Sequence, residues 1–442
     1  MIRNALKLGS DKKEGVPFAG LIHPDNPPSG PYGGTSLVWF PGEHGALLDL
    51  GVGTRGLSPD EGLLLRPGHR RRVQSLRRYL DRLGVTAWSK ADPAALGVKI
   101  PKSTCKRFPD FTRAFKRYST EMYCIAEVPR DNPELAYKVV QAFFDLYAFE
   151  RGWEVYAEFN SEVQDFLGTL RADLFVSPTA NELAELIKER RFVVLYGPPG
   201  TGKTRIAEEV RRDFFADHGR TVQFHPAVTY EDFMVGLAPT PATDGLTFKV
   251  RPGWLVEANE AAKKEETLLV VDEINRGDLA KVLGEAVYLF EPNEVGGERA
   301  RVVHLPHEID GSRELRLSEG LHVLGTMNTA DRSLAGLDLA IRRRFAFVPM
   351  PPSRTVLEEQ GLELALQIFD QVQDVFVEHA SDEALALLPG HSYFLARSEE
   401  ELKRRLRFEL LPLLDEYLRE GLLGPAAAEL RAVRDQVEAA IG

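Results

Sequence analysis

At 442 residues the chain is too long for one ordinary domain, and about 150 residues per domain points to two or three. Hydrophobic residues at 43% and charged residues at 27% describe a globular chain and exclude collagen-like, fibrous or disordered classes. The net charge of −11 excludes a uniformly basic nucleic-acid coat, yet residues 61–120 carry +11, residues 1–170 sum to +3 and residues 171–442 to −14.

In chain order, Met1-Ile2-Arg3-Asn4 leads into the charged Asp11-Lys12-Lys13-Glu14, which predicts no signal peptide and a cytoplasmic location. The two cysteines, Cys105 and Cys124, fit a reducing compartment. A Pro/Gly-rich stretch from His23 to Gly34 punctuates the start. Thr35 to Phe40 and Ala46 to Val52 then read as the strands of a hairpin. Residues 68–84 read as a helix, with Val73, Leu76, Leu80 and Leu83 on one face and arginines on the other. A second helical pattern runs from Pro133 to Phe149. Residues 1–170 are therefore expected to form an α+β domain. After a junction at 171–180, Thr179 is placed to cap a helix over 181–190. Apolar runs at Phe192 to Tyr196, Thr221 to Phe224, Thr267 to Val271, Leu321 to Gly325 and Ala346 to Val348 alternate with helical stretches. That pattern predicts a parallel α/β sheet covered on both faces over 171–352. From 353 to 442 the pattern is helical only. No apolar run approaches the roughly 18–20 residues of a membrane span, so no membrane partner is expected.

Gly197-Pro198-Pro199-Gly200-Thr201-Gly202-Lys203-Thr204 follows an apolar strand and precedes a helical stretch. This is the phosphate-loop pattern in the context it requires. Glycines let backbone N–H groups curl around phosphate oxygens, and the helix N-terminus adds partial positive charge. Lys203 is expected on the β/γ-phosphates and Thr204 on Mg²⁺. The strand Leu268 to Val271 ends in Asp272-Glu273. Asp272 is expected to orient the Mg²⁺ shell, and Glu273 to act as the base that polarises the attacking water.

Asp272-Glu273-Ile274-Asn275-Arg276-Gly277 and Gly325-Thr326-Met327-Asn328-Thr329-Ala330-Asp331-Arg332-Ser333 resemble the signatures of the McrB family. These are the AAA+ GTPase motors of methylcytosine-specific restriction systems. Phe224-His225-Pro226, Tyr230-Glu231-Asp232-Phe233 and Gly390-His391-Ser392-Tyr393-Phe394 add to the resemblance, which covers about 175–420. It implies an AAA+ core with a C-terminal helical lid, hydrolysing GTP or, as the alternative, ATP, with Mg²⁺. It also implies a homo-oligomeric ring, a hexamer by analogy, and a McrC-like nuclease subunit as partner. Asn328 ends an apolar strand, as the sensor asparagine of an AAA+ protein does, and its amide can hold the attacking water. Asn328 to Asp331 also mimics the guanine-reading N-K-x-D motif, and Asp331 is carried as a further catalytic candidate. A strand tip beside the γ-phosphate is badly placed to reach the base. Arg342-Arg343-Arg344 follows a short helical stretch where AAA+ rings present arginine fingers, so Arg343 and Arg344 are the candidates. Arg276 is a weaker intersubunit candidate, and His391 has structural and nucleotide-contacting readings side by side.

The basic block interleaves aromatics, which suits phosphate neutralisation and base stacking. Arg71, Arg72, Arg77, Arg78 and Trp88 are the residues expected to meet double-stranded DNA. A solubilising helix face over an aromatic core is the plainer alternative. No nuclease constellation stands in the sequence. The expected function is thus a McrB-like motor that drives DNA translocation and activates a separate nuclease. The rival is an ATP-driven, MoxR-like remodeller of protein partners.

Overall fold

The computed structural model describes residues 2–4, 15–242, 245–297, 300–329 and 339–442. The chain divides into two compact units. The first holds residues up to Leu174 together with Asp374–Asp382 and Leu423–Glu429; the second holds Phe175–Gln373, Glu383–Leu422 and Leu430–Gly442.

The first unit is built on an antiparallel sheet of β1 (Ile2–Asn4), β2 (Ala19–Ile22), β3 (Thr35–Pro41), β4 (Gly45–Val52), β5 (Ala87–Ser89) and β6 (Met122–Pro129). Their order is β1-β2-β3-β4-β6-β5. The β3–β4 hairpin is the one read from the sequence, with Thr35 opposite Val52 and Pro41 opposite Ala46. Alternation along the strands gives each face its own core. Leu37, Leu48 and Leu50 meet Val73, Leu76 and Leu80 of the Pro67–Arg82 helix and Val139, Phe143 and Leu146 of the Pro133–Glu150 helix. Val38, Phe40, Leu47 and Ile125 meet Ile100, Phe108, Phe111 and Phe115 from short helical segments. The unit is α+β, as expected.

The second unit holds a parallel sheet of β7 (Phe192–Gly197), β8 (Gly219–Gln223), β11 (Thr267–Asp272), β14 (Leu321–Asn328) and β15 (Ala346–Pro349). The order is β15-β7-β14-β11-β8, parallel throughout. Consecutive residues of one strand feed opposite cores, which is why these strands read as continuous apolar runs. Val193, Leu195, Leu268 and Val270 pack on the Ala180–Arg190 and Lys203–Phe214 helices. Phe192, Val194, Leu269 and Val271 pack on the Trp254–Ala262 helix and on Leu279, Val282 and Leu283. Thr179 caps the first of these helices in a reciprocal box with Glu182, as its position predicts.

Two hairpins that the sequence reading does not anticipate join this core: β9 (Val235–Ala242) with β10 (Gly245–Pro252), and β12 (Val303–Ile309) with β13 (Ser312–Leu315). In the first, Leu237 opposes Val250, Pro239 opposes Phe248 and Pro241 opposes Leu246, so one face is apolar throughout. Leu246 and Phe248 are exposed at 70% and 66%. The C-terminal part is helical, including Glu363–His379, Glu399–Arg405, Leu411–Arg419 and Ala427–Ile441. No helix among the described residues is long and apolar enough to cross a membrane.

Candidate nucleotide site

The strand order decides the site. β14 lies between β7, which runs into the phosphate loop, and β11, which ends in the acidic pair. The tip of β14 therefore stands between the two motifs.

The loop from Gly197 to Gly202 leads directly into the Lys203–Phe214 helix, with Gly200 and Gly202 at φ +79° and +77°. Only glycine adopts this left-handed backbone cheaply. Lys203 is buried, and its Nζ donates to the carbonyls of Gly197 at 3.0 Å and Pro198 at 2.7 Å. Thr201 is buried and donates from Oγ1 to the Pro198 carbonyl at 3.1 Å. The ammonium is thus held against the mouth of the loop, where phosphate oxygens would compete with two neutral carbonyls for it.

Thr204 Oγ1 donates to Asp272 Oδ1 at 2.7 Å, and Thr326 Oγ1 donates to the same oxygen at 2.6 Å. The hydroxyl and carboxylate make an all-oxygen donor set, which suits a hard divalent cation. Thr326 also accepts from the Glu273 backbone N–H at 3.1 Å. Glu273 sits at φ +52°, a conformation that costs a non-glycine residue about 1–2 kcal/mol. Its carboxylate Oε1 accepts from Asn328 Nδ2 at 2.6 Å, and Oε2 lies 3.4 Å from Arg276 Nε. The strained backbone and two side-chain contacts aim one carboxylate.

Thr326 is the residue sequence reasoning passed over. It is two positions before Asn328 on one strand, hence on the same face, and that spacing was the available signal. Gly325, one position before Thr326, leaves room for Ile274, whose Cδ1 would lie 3.0 Å from a Cβ there. Asp331 lies outside the described residues.

Residues 192–345 match the model of the AAA domain of the dynein-related subfamily. The type IV methyl-directed restriction enzyme EcoKMcrB subunit of Escherichia coli K12 is 30% identical over 271 residues, covering 55% of this chain and 58% of that protein. Residues 192–345 are thus an AAA domain, and over about half its length the chain is similar to a McrB subunit. It is also 25% identical over 225 residues to component YdiS of the type II restriction enzyme BsuMI of Bacillus subtilis 168, covering 43% of this chain and 65% of that one. The uncharacterized protein YehL of Escherichia coli K12 is 25% identical over 203 residues, covering 42% of this chain and 49% of YehL. The chain spans about half to two thirds of the length of these relatives. The AAA domain is one of the P-loop nucleoside triphosphatase class.

Other sequence candidates land differently. Arg343 is exposed, its side chain at 66%, and lies 3.6 Å from Glu291. Arg344 is buried, with Nε 3.1 Å from Glu291. A guanidinium held inside its own fold cannot also reach a neighbour's nucleotide, so Arg344 is corrected from a finger to a structural residue.

The DNA candidates need a similar correction. Arg71 is buried and donates to the carbonyls of Phe376 at 3.0 Å, Val377 at 2.7 Å and Ala380 at 2.7 Å, capping the C-terminal end of the Glu363–His379 helix. Arg72 is buried between Glu150 and Glu378. Neither is available to phosphate. Arg78 pairs with Asp173, and Arg77 with Asp81 one turn on. Trp88 is half-buried and packs against the Phe40–Phe115 core, so it follows the plainer reading. The available charge stands elsewhere. Lys99, Lys102, Lys106, Arg107, Arg113, Lys116 and Arg117 are exposed, and none is ion-paired among the described residues.

Proposed function

We propose that this chain is the nucleotide-hydrolysing motor of a modification-dependent DNA restriction complex. It takes GTP, with ATP as the alternative. It works as a homo-oligomeric ring, a hexamer by analogy, that drives translocation on DNA and activates a McrC-like nuclease subunit. The observation that carries the hydrolytic part is the Glu273 carboxylate, bonded to Asn328 on the neighbouring strand tip beside the phosphate loop. The restriction reading rests on two relatives whose names are those of restriction enzyme components.

The chemistry follows from the residues. Lys203 exchanges its loop carbonyls for phosphate oxygens. Thr204 and Asp272 would hold Mg²⁺, which when bound neutralises charge on the β- and γ-phosphates. Glu273 accepts the proton of the attacking water, and Asn328 fixes both the carboxylate and that water by its amide. Thr326 keeps Asp272 and Glu273 in register by bonding to both. Arg343, exposed where Arg344 is buried, is the finger offered to a neighbouring subunit's γ-phosphate.

DNA is met by the first unit through the seven exposed cations between Lys99 and Arg117. They lie on segments whose inner residues, Phe108, Phe111, Ala114 and Phe115, are buried in the core. The test of the whole reading is GTP against ATP turnover, each measured with and without a candidate nuclease subunit and DNA. Stimulation by the nuclease subunit is expected. Turnover unaltered by any nuclease subunit or by DNA would overturn the restriction assignment while leaving the hydrolase intact.

A further inference from the structure

The turn Gly390-His391-Ser392 is used by nothing above, although it is built onto the phosphate loop. Gly390 touches the loop so closely that a Cβ there would collide with the Gly200 backbone. The Ser392 N–H donates to the Gly200 carbonyl at 3.0 Å. Between them His391 is only 7% exposed. Its Nδ1 accepts the backbone N–H of Ser353 at 3.1 Å. An imidazole that accepts at Nδ1 carries its proton on Nε2. Among the described residues that nitrogen has no hydrogen-bond partner, and it lies 3.7 Å from the position of a Cβ on Gly202, the residue that opens the phosphate-loop helix.

On a ring that is otherwise nearly buried, the direction of an open N–H donor is informative. Here it faces a 12-residue helix N-terminus that already gathers backbone donors for an anion. Resting on the nucleotide reading above, we propose that His391 donates its Nε2–H to the phosphate chain of the bound nucleotide. Burial, and then the charge of Arg205 nearby, hold the imidazole down to about 4, so the ring is neutral at physiological pH. It is a fixed donor and not a proton carrier. His391 is thus a ligand-binding residue supplied by the C-terminal helical region, outside the loop motif itself.

The test uses the full-length protein and separates the two nitrogens. H391N keeps an acceptor near the Nδ1 position but cannot reach the loop; H391Q restores a donor near Nε2. Binding of inorganic tripolyphosphate and of a fluorescent GTP analogue is measured for each by titration. H391N should bind both about tenfold more weakly, the order expected for removing one donor from a charged acceptor. H391Q should recover most of that loss. Selective ¹⁵N labelling of histidine in the unaltered protein should show the His391 Nε2 resonance shift on adding tripolyphosphate, with Nδ1 changing little. This second measurement stands even where a variant fails to fold. Equal affinity in H391N and the unaltered protein, or an unmoved Nε2 resonance with tripolyphosphate bound, overturns the proposal. Weakened binding of the GTP analogue alone, with tripolyphosphate unaffected, also overturns it, because the contact would then be to the nucleoside. If the unaltered protein binds neither probe, the nucleotide reading itself fails.

Discussion

Glu273 shows how much structure one catalytic carboxylate requires. Its backbone is left-handed, its N–H is tied to Thr326, and its side chain is tied to Asn328. E273Q preserves that shape and removes the base. Nucleotide binding should survive and turnover should fall by about 10²–10⁴, which isothermal binding and phosphate release measure separately. T326V keeps the strand and deletes the hydroxyl, so kcat should drop about tenfold or more with KM little changed. The roles of Lys203, Asp272 and Glu273 were legible because each belongs to a motif whose spacing encodes its geometry. Arg343 and Arg344 were not separable from sequence, because both lie near Glu291 and these consecutive residues on a short turn diverge only in burial, Arg344 being enclosed and Arg343 exposed. The separation is testable. R343A should leave the melting temperature unchanged and abolish the steeper-than-linear rise of hydrolysis with protein concentration. Mixing it with E273Q should restore part of the activity, since mixed interfaces pair an intact base with an intact finger. R344A should instead lower the melting temperature. Rescue by mixing R344A, with its stability intact, would reverse the assignment.

Among elements, the Pro67–Arg82 helix is where local pattern misled. Its apolar stripe meets the sheet as the spacing predicts, and the opposite face carries arginines. The first part of that face is not solvated, because Arg71 and Arg72 bind the segment around Phe376 to Asp382 about three hundred residues away. No window of local sequence contains that partner. The consequence divides the basic block into two experiments. R71A removes the guanidinium from three carbonyl oxygens and should destabilise the protein by about 1–3 kcal/mol, read by denaturant unfolding. Replacing Lys102, Lys106, Arg113 and Lys116 with Ala should leave stability within about 0.5 kcal/mol. The same variant should weaken DNA binding equally for all sequences and reduce the log–log salt slope by roughly 3. An unchanged slope would remove this surface from the DNA interface. The parallel strands, by contrast, were readable one by one. Their order was not, since the place of β14 depends on a crossover that no strand records.

The molecule as a whole should lose its two units at different pH. In the second, His391 is held down to about 4 by burial and by Arg205, and burial also lowers His322. A histidine depressed in the fold contributes stability above its ordinary value of 6.5 that is lost as pH falls toward 4, about 3 kcal/mol for His391. In the first unit, burial alone would raise Glu150, but hydrogen bonds and charge from His69 and Arg72 hold it to about 2. Its contribution is complete above the ordinary 4.5 and is lost only as pH falls from there toward 2. Hydrogen exchange across a pH series should therefore show the second unit opening first, between about pH 6.5 and 4. Simultaneous loss of both units would contradict this order.

The β9–β10 hairpin sets a different kind of limit on the molecule. Pro239 and Pro241 are two positions apart, so both missing N–H groups fall on one side of β9, and pairing with β10 must run through the intervening residues. The outer edge of β9 is thereby stripped of donors at two successive sites. A hairpin with Leu246 and Phe248 exposed would otherwise seed edge-to-edge aggregation. These prolines act as gatekeepers: the apolar face can be covered face-on, whereas the open edge cannot be extended by another strand. Replacing both with Thr should leave hydrolysis intact and shorten the soluble lifetime of the protein on concentration.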